Sequence, residues 1–194
     1  MTHDTVIEIK KALRAAMNGV LSAKMREAGM PYKLVFGVEL PRLLEISKEF
    51  APDLKLALEL WNENIRECKI LAVLLLPDGE MTADLAEIWV SEIPTAEIAQ
   101  ILVMYQLRNL PQAADVAFRW IASEDDTKQL CGYLTIAHLL QRGAELNERS
   151  VKEITDQATA GLEQADFHLR KAIHAVLSRL SAQTSDNSGM IMES

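Results

Sequence analysis

Apolar residues recur at helical spacing along almost the whole chain, and from residue 53 onward the segments they define read as pairs. That pattern leaves little room for a sheet. A first helical region is expected from about Asp4 to Ala28, broken near Gly19 and closed by Gly29-Met30-Pro31, because Gly ends helices and Pro cannot continue one. After the segment YKLVFGVEL, helices are expected at Pro41–Phe50, Asp53–Glu63, Ile65–Leu76, Thr82–Ser91, Thr95–Asn109, Gln112–Ala122, Asp125–Arg142, Asn147–Gly161 and Gln164–Ala182. Asp53, Thr82, Thr95, Asp125 and Asn147 mark starts, since their side chains can accept from exposed backbone N–H groups. Pro52, Pro77, Pro94 and Pro111 sit at junctions.

The pairs begin near residues 53, 82, 112 and 147, a repeat of about 30–35 residues typical of helical arrays. ALELW followed by ILAVLLL, over 57–76, parallels VAFRW followed by YLTIAHLL, over 116–140. In each, an amphipathic helix ends in Trp and a more uniformly apolar helix follows. The expected fold is therefore all-α, a right-handed α-α superhelix in which antiparallel helix pairs stack as a HEAT/ARM-like solenoid. Residues 1–182 are read as one domain. Residues 183–194, Ser/Asn/Gly-containing and without periodicity, are expected to be unstructured.

Composition agrees. Hydrophobic residues make up 49% of the 194, ample for a core, while aromatics are only 5%. The abundant Leu, Ala and Glu lose little rotamer freedom on a helix. The net charge of −8 argues against a surface uniformly attractive to phosphate. It hides an asymmetry, however: residues 1–35 are net +3, residues 36–163 net −11 and residues 164–182 net +2. The N-terminus has charges throughout and does not read as a secretory signal. The longest apolar run, Ile70–Leu76, is far short of the roughly 20 residues a membrane span needs. Cys68 and Cys131 form no CxxC and read as buried, reduced thiols of a cytoplasmic protein.

Conventional chemistry is hard to find. The eight glycines are scattered and make no phosphate cradle, and the four histidines have no metal-ligand spacing, so neither metal nor cofactor is expected. His138 reads as a core histidine satisfied by a backbone carbonyl. Glu124-Asp125-Asp126 falls at a helix start, where the dipole favours negative charge. The last helix, ADFHLRKAIHAVLSRLS, is more informative. Leu169, Ile173, Val176, Leu177 and Leu180 form one stripe, and Arg170, Lys171, His174 and Ser178 fall opposite at about 100° per residue. With Lys10, Lys11 and Arg14 near the N-terminus, this basic face suggests an anion-binding groove.

Three stretches together resemble the DNA alkylation repair enzyme family, the AlkD-type HEAT-like glycosylases. Phe36-Gly37-Val38 with Pro41 and Leu43 is similar to that family's FGV-x-x-P-x-L motif. Leu60, Trp61, Ile65, Glu67, Ile70, Leu71 and Ala72 match an LW-x3-I-x-E-x2-LLA helix pair, and Phe167, Lys171, Ala172 and Leu177 match its C-terminal helix. The likeness spans roughly residues 32–181. It implies a concave face that holds DNA and excision of N3- or N7-alkylated purines without conventional base flipping. Tryptophans would pack on the nucleotide backbone, an Asp would stabilise charge developing on the deoxyribose, and an Arg would hold phosphate. The family's Trp and Asp positions fall on Ala96 and Gln100, with Glu97 the nearest carboxylate, and its Arg falls on Leu130, with Lys128 close by. The resemblance thus implies a DNA-binding relative with weak or no glycosylase activity, using Lys10, Lys11, Arg14, Lys128, Arg170, Lys171 and His174 and no cofactor. The alternative is a scaffold whose groove takes a protein partner. No membrane association is expected.

Overall fold

A computed structural model of the chain describes residues 2–191, with side chains through residue 183. The described residues form eleven α-helices and no strand. They are α1 (Thr2–Ala15), α2 (Gly19–Glu27), α3 (Leu40–Ser47), α4 (Leu54–Trp61), α5 (Arg66–Leu75), α6 (Ala83–Ser91), α7 (Ala96–Tyr105), α8 (Ala113–Ile121), α9 (Asp126–Gln141), α10 (Glu148–Gly161) and α11 (Phe167–Ile191). A 3-10 turn at Leu107–Asn109 follows α7. Periodicity placed these helices to within a few residues, except that α11 runs nine residues past its expected end at Ala182, into the segment expected to be unstructured. The side chains of residues 184–194, where an unstructured tail was expected, lie outside the described residues, although the bounds of α11 carry its backbone to Ile191.

Caps explain the boundaries. The Asp53 side chain accepts from the Leu56 N–H at 2.8 Å, Asp125 from Thr127 and Lys128, and Asn147 from Ser150, as expected. Thr95 holds the N-cap position of α7 without a side-chain cap bond. Two caps went unread in sequence: Asn18 accepts from Leu21 to start α2, and Asp166 accepts from Leu169 to start α11.

The helices divide into two compact units, Met1–Thr82 and Ala83–Ser194. In the first, α5 is the centre. Cys68, Ile70, Leu71, Ala72 and Val73 are wholly buried on it, and α3 and α4 pack against it. The extended segment before α3 is tied down by Glu67, itself fully buried. Its carboxylate accepts from the backbone N–H groups of Phe36, Gly37 and Val38 at 3.0, 2.9 and 3.2 Å, and from Arg66 Nη1 at 3.0 Å. Arg66 also donates to the Val38 carbonyl at 2.9 Å. Consecutive N–H groups turned inward this way make an anion-holding concavity, filled here by the chain's own carboxylate. Gly37 makes the turn possible. Its φ is +74°, and a Cβ there would stand 2.5 Å from the Asn18 carbonyl oxygen and 2.6 Å from the Ser22 nitrogen.

In the second unit α9 is the centre. It packs against α7, α8 and α11, and α10 rests on α8 and α11. Gly132 permits the α8–α9 approach, since a Cβ there would meet the Ala117 carbonyl oxygen at 2.7 Å. The expected stripe of α11 is inward, with Leu169, Ile173, Val176 and Leu180 buried. Both cysteines are free and buried, and burial is the main cause pushing the Cys68 thiol up to about 12 and Cys131 upward as well.

Removing one partner of a buried charged cluster leaves the rest uncompensated. Glu67→Gln is therefore expected to cost about 3–5 kcal/mol, against under about 1 kcal/mol for Glu63→Gln at the half-exposed Lys10 pair. Urea midpoints measure both. Equal losses would mean that the cradle is not what holds the segment.

Candidate nucleic-acid interface

Sequence reading placed the catalytic positions of the resembling family on residues far apart in the chain, and the structure brings two of them together. Ala96 at the start of α7 and Leu130 in the second turn of α9 line one cavity of about 160 Å³. Ile93, Pro94, Asp126, Thr127, Asp166 and His168 complete much of its wall. The starts of α7, α9 and α11 thus converge here. Gln100 is exposed one turn further along α7, and Glu97 is half-buried. No lysine or arginine lines the cavity. Its volume falls below the roughly 300 Å³ at which pockets begin to enclose a drug-sized ligand, so it can cup a sugar or phosphate edge but not swallow a nucleotide. The hydrogen-bonding side chains that line it are Thr95, Asp126, Thr127, Asp166 and His168. Larger hollows, about 430 and 470 Å³, lie on α10 and between α8 and α10 and carry mixed charge.

Aromatic support is placed elsewhere. Trp61, Trp89 and Trp120, all the tryptophans of the chain, are 2%, 1% and 2% exposed. Trp61 stacks under Lys69, whose Nζ lies 4.4 Å from the ring centre and donates to the Trp61 carbonyl. Trp120 Nε1 donates to Glu87 at 2.6 Å. None of the three can lie against a nucleotide. The exposed aromatic is Phe167, 74% accessible, edge-on to His168 at 5.4 Å beside the cavity.

The expected basic residues divide between the two units. Lys10, Lys11 and Arg14 belong to α1; Lys11 and Arg14 are exposed, and Lys10 donates to Glu63 at 2.6 Å. Lys128 on α9 donates to Glu87 at 2.9 Å. Arg170, Lys171 and His174 are exposed on α11, opposite its buried stripe, with Arg170 also donating to the Ala165 carbonyl at 2.9 Å. Sequence reading missed the Asp126, Asp166 and His168 side of the cavity. The only available signal was their place at helix starts.

Glu87 joins this region to the core. Burial opposes its ionisation, yet the hydrogen bonds from Lys128 and Trp120, helped by the charges of Lys128 and Arg119, hold its carboxyl below the ordinary 4.5. A depressed carboxyl contributes stability above its unfolded pKa and loses it as pH falls through the folded value. The urea-midpoint advantage of the native chain over Glu87→Gln is therefore expected near neutrality and should shrink as pH drops below 4.5. A pH-independent difference would contradict this.

A family model described as DNA alkylation repair enzyme matches residues 9–188. Among curated proteins none matches. A solved structure described as "A new family of proteins related to the HEAT-like repeat DNA glycosylases with affinity for branched DNA structures" is similar over 96% of this chain and 80% of that one. The TM-score is 0.79 at 18% identity, a likeness of fold. The chain therefore has the all-α, HEAT-like class read from its helix pairs.

Proposed function

We propose that this chain, which belongs to the DNA alkylation repair enzyme family, binds DNA, with weak or no alkylpurine glycosylase activity. The observation that carries the reading is the cavity at the starts of α7, α9 and α11. It sits where the family resemblance locates chemistry, yet it is lined by Ala96 and Leu130 and by no lysine, arginine or tryptophan. The exposed Arg170 and Lys171 supply positive charge on the same helix that closes the cavity. The similar solved protein, described as having affinity for branched DNA, supports a binding role separate from base excision.

A protein partner is the second reading, favoured by the net −11 of residues 36–163. A stoichiometric protein captured on the full chain, and kept after nuclease treatment, would favour it.

Fluorescence anisotropy with linear and branched DNA separates the two, starting at about 50 mM salt, where phosphate contacts are strong. Binding is expected, and Lys171→Gln should weaken it for all sequences while reducing the salt slope by about 1. No binding at that salt removes the DNA reading. Methylated DNA incubated with the chain is expected to free little or no 7-methylguanine or 3-methyladenine. Efficient release that Glu97→Gln abolishes would instead make this an active glycosylase.

A further inference from the structure

The expectation that His138 is satisfied by a carbonyl is not met. Its half-buried ring has no hydrogen-bond partner among the described residues, and it stands among cations. The charges of Arg108 of the 3-10 turn and Arg179 of α11 act on it, from two elements that pack directly on α9. The Nε of Arg108 is buried and donates to nothing. Arg179 Nη1 reaches only the Ala175 carbonyl of its own helix, at 3.0 Å. Arg142, which ends α9, donates to Asn109 Oδ1 of the 3-10 turn at 3.1 Å. None of these four has a carboxylate partner among the described residues. Burial first, and then the charges of Arg108 and Arg179, push the His138 imidazole below its ordinary value.

Such a cluster is costly alone, because buried donors without acceptors and like charges without a counter-charge both oppose folding. The chemistry that suits such a cluster is an oxyanion with several acceptors. Its position narrows the source. Ala96, Asp126 and Phe167 are the first residues of α7, α9 and α11, as Arg108, His138 and Arg179 each lie twelve residues further on. Starts meet at the cavity and the later positions meet at the cluster, so the three segments run side by side in one direction. At about 1.5 Å per residue the two places are separated by roughly 18 Å, the span of about five phosphates along one strand of duplex at about 3.4 Å each.

We propose that Arg108, Arg179 and His138 form a phosphate-binding site that engages the DNA backbone away from the helix-start cavity. This rests on the DNA-binding reading above. Arginine's planar fork suits a phosphodiester, and Arg142 ties the 3-10 turn that carries Arg108 to the end of α9.

The test uses the full chain and a fluorescein-labelled duplex. The double variant Arg108→Gln/Arg179→Gln is expected to bind at least about ten-fold more weakly at low salt and to lower the salt slope by about 2, one for each contact. Arg149→Gln/Lys152→Gln on α10 removes the same charge and should change neither. Wild-type affinity and slope in a folded Arg108→Gln/Arg179→Gln chain would overturn the site while leaving the DNA reading intact. If the native chain binds no DNA, that reading falls, and a titration with inorganic pyrophosphate decides the site alone. Shifts of the Arg108 Nε–H and His138 ring signals uphold an anion site; their absence overturns it.

Discussion

A carboxylate with no exposure to water is among the most demanding groups a small helical protein can hold, and the first unit is organised around one. Left alone, the Glu67 charge would be driven out or neutralised. It persists because three backbone N–H groups and the Arg66 guanidinium converge on it. That requirement dictates the path of the extended segment before α3. Three successive N–H groups can face one carboxylate only if the backbone turns through a left-handed residue, and Gly37 provides it. The same glycine lets α2 press against the turn, where Ser22 donates to the Val35 carbonyl at 2.7 Å. One charge thus fixes a loop, two helices and the start of a third.

The FGV and LW-x3-I-x-E stretches that first suggested the family are therefore two halves of a single hydrogen-bonded object. Their order and spacing follow from the need for an acceptor on α5 to meet donors some thirty residues earlier. They report a fold. They say nothing about excision chemistry, which is why motifs carrying the family can coexist with a cavity lined by Ala96 and Leu130.

The second unit meets a different constraint, the close packing of α7, α9 and α11 side by side. Gly132 lets α8 approach α9 at backbone distance, and the buried Trp120 of α8 directs its indole N–H to Glu87. The arrangement brings three helix starts together at one end and places two arginines, Arg108 and Arg179, with the His138 imidazole at the other. Function, on this reading, is divided along the helices, with a small polar cavity at one end and unneutralised positive charge at the other.

The sequence by itself determined the helices, most of their caps, the buried stripe of α11 and the reduced state expected of both cysteines, because each depends on residues within a turn or two. The signals at helical spacing and at N-caps are local and survive without a partner. Only the tertiary structure decided that Lys128 meets Glu87 across 41 positions, that every tryptophan is interior, and that His138 comes under the charges of Arg108 and Arg179 rather than against a carbonyl. Charge–charge distances and burial come from packing between segments tens of residues apart, and one-dimensional periodicity gives a helix its buried face but not the neighbour that covers it. The Glu67 cradle lies between the two: its residues were legible as motifs, while the hydrogen bonds that make them necessary were not.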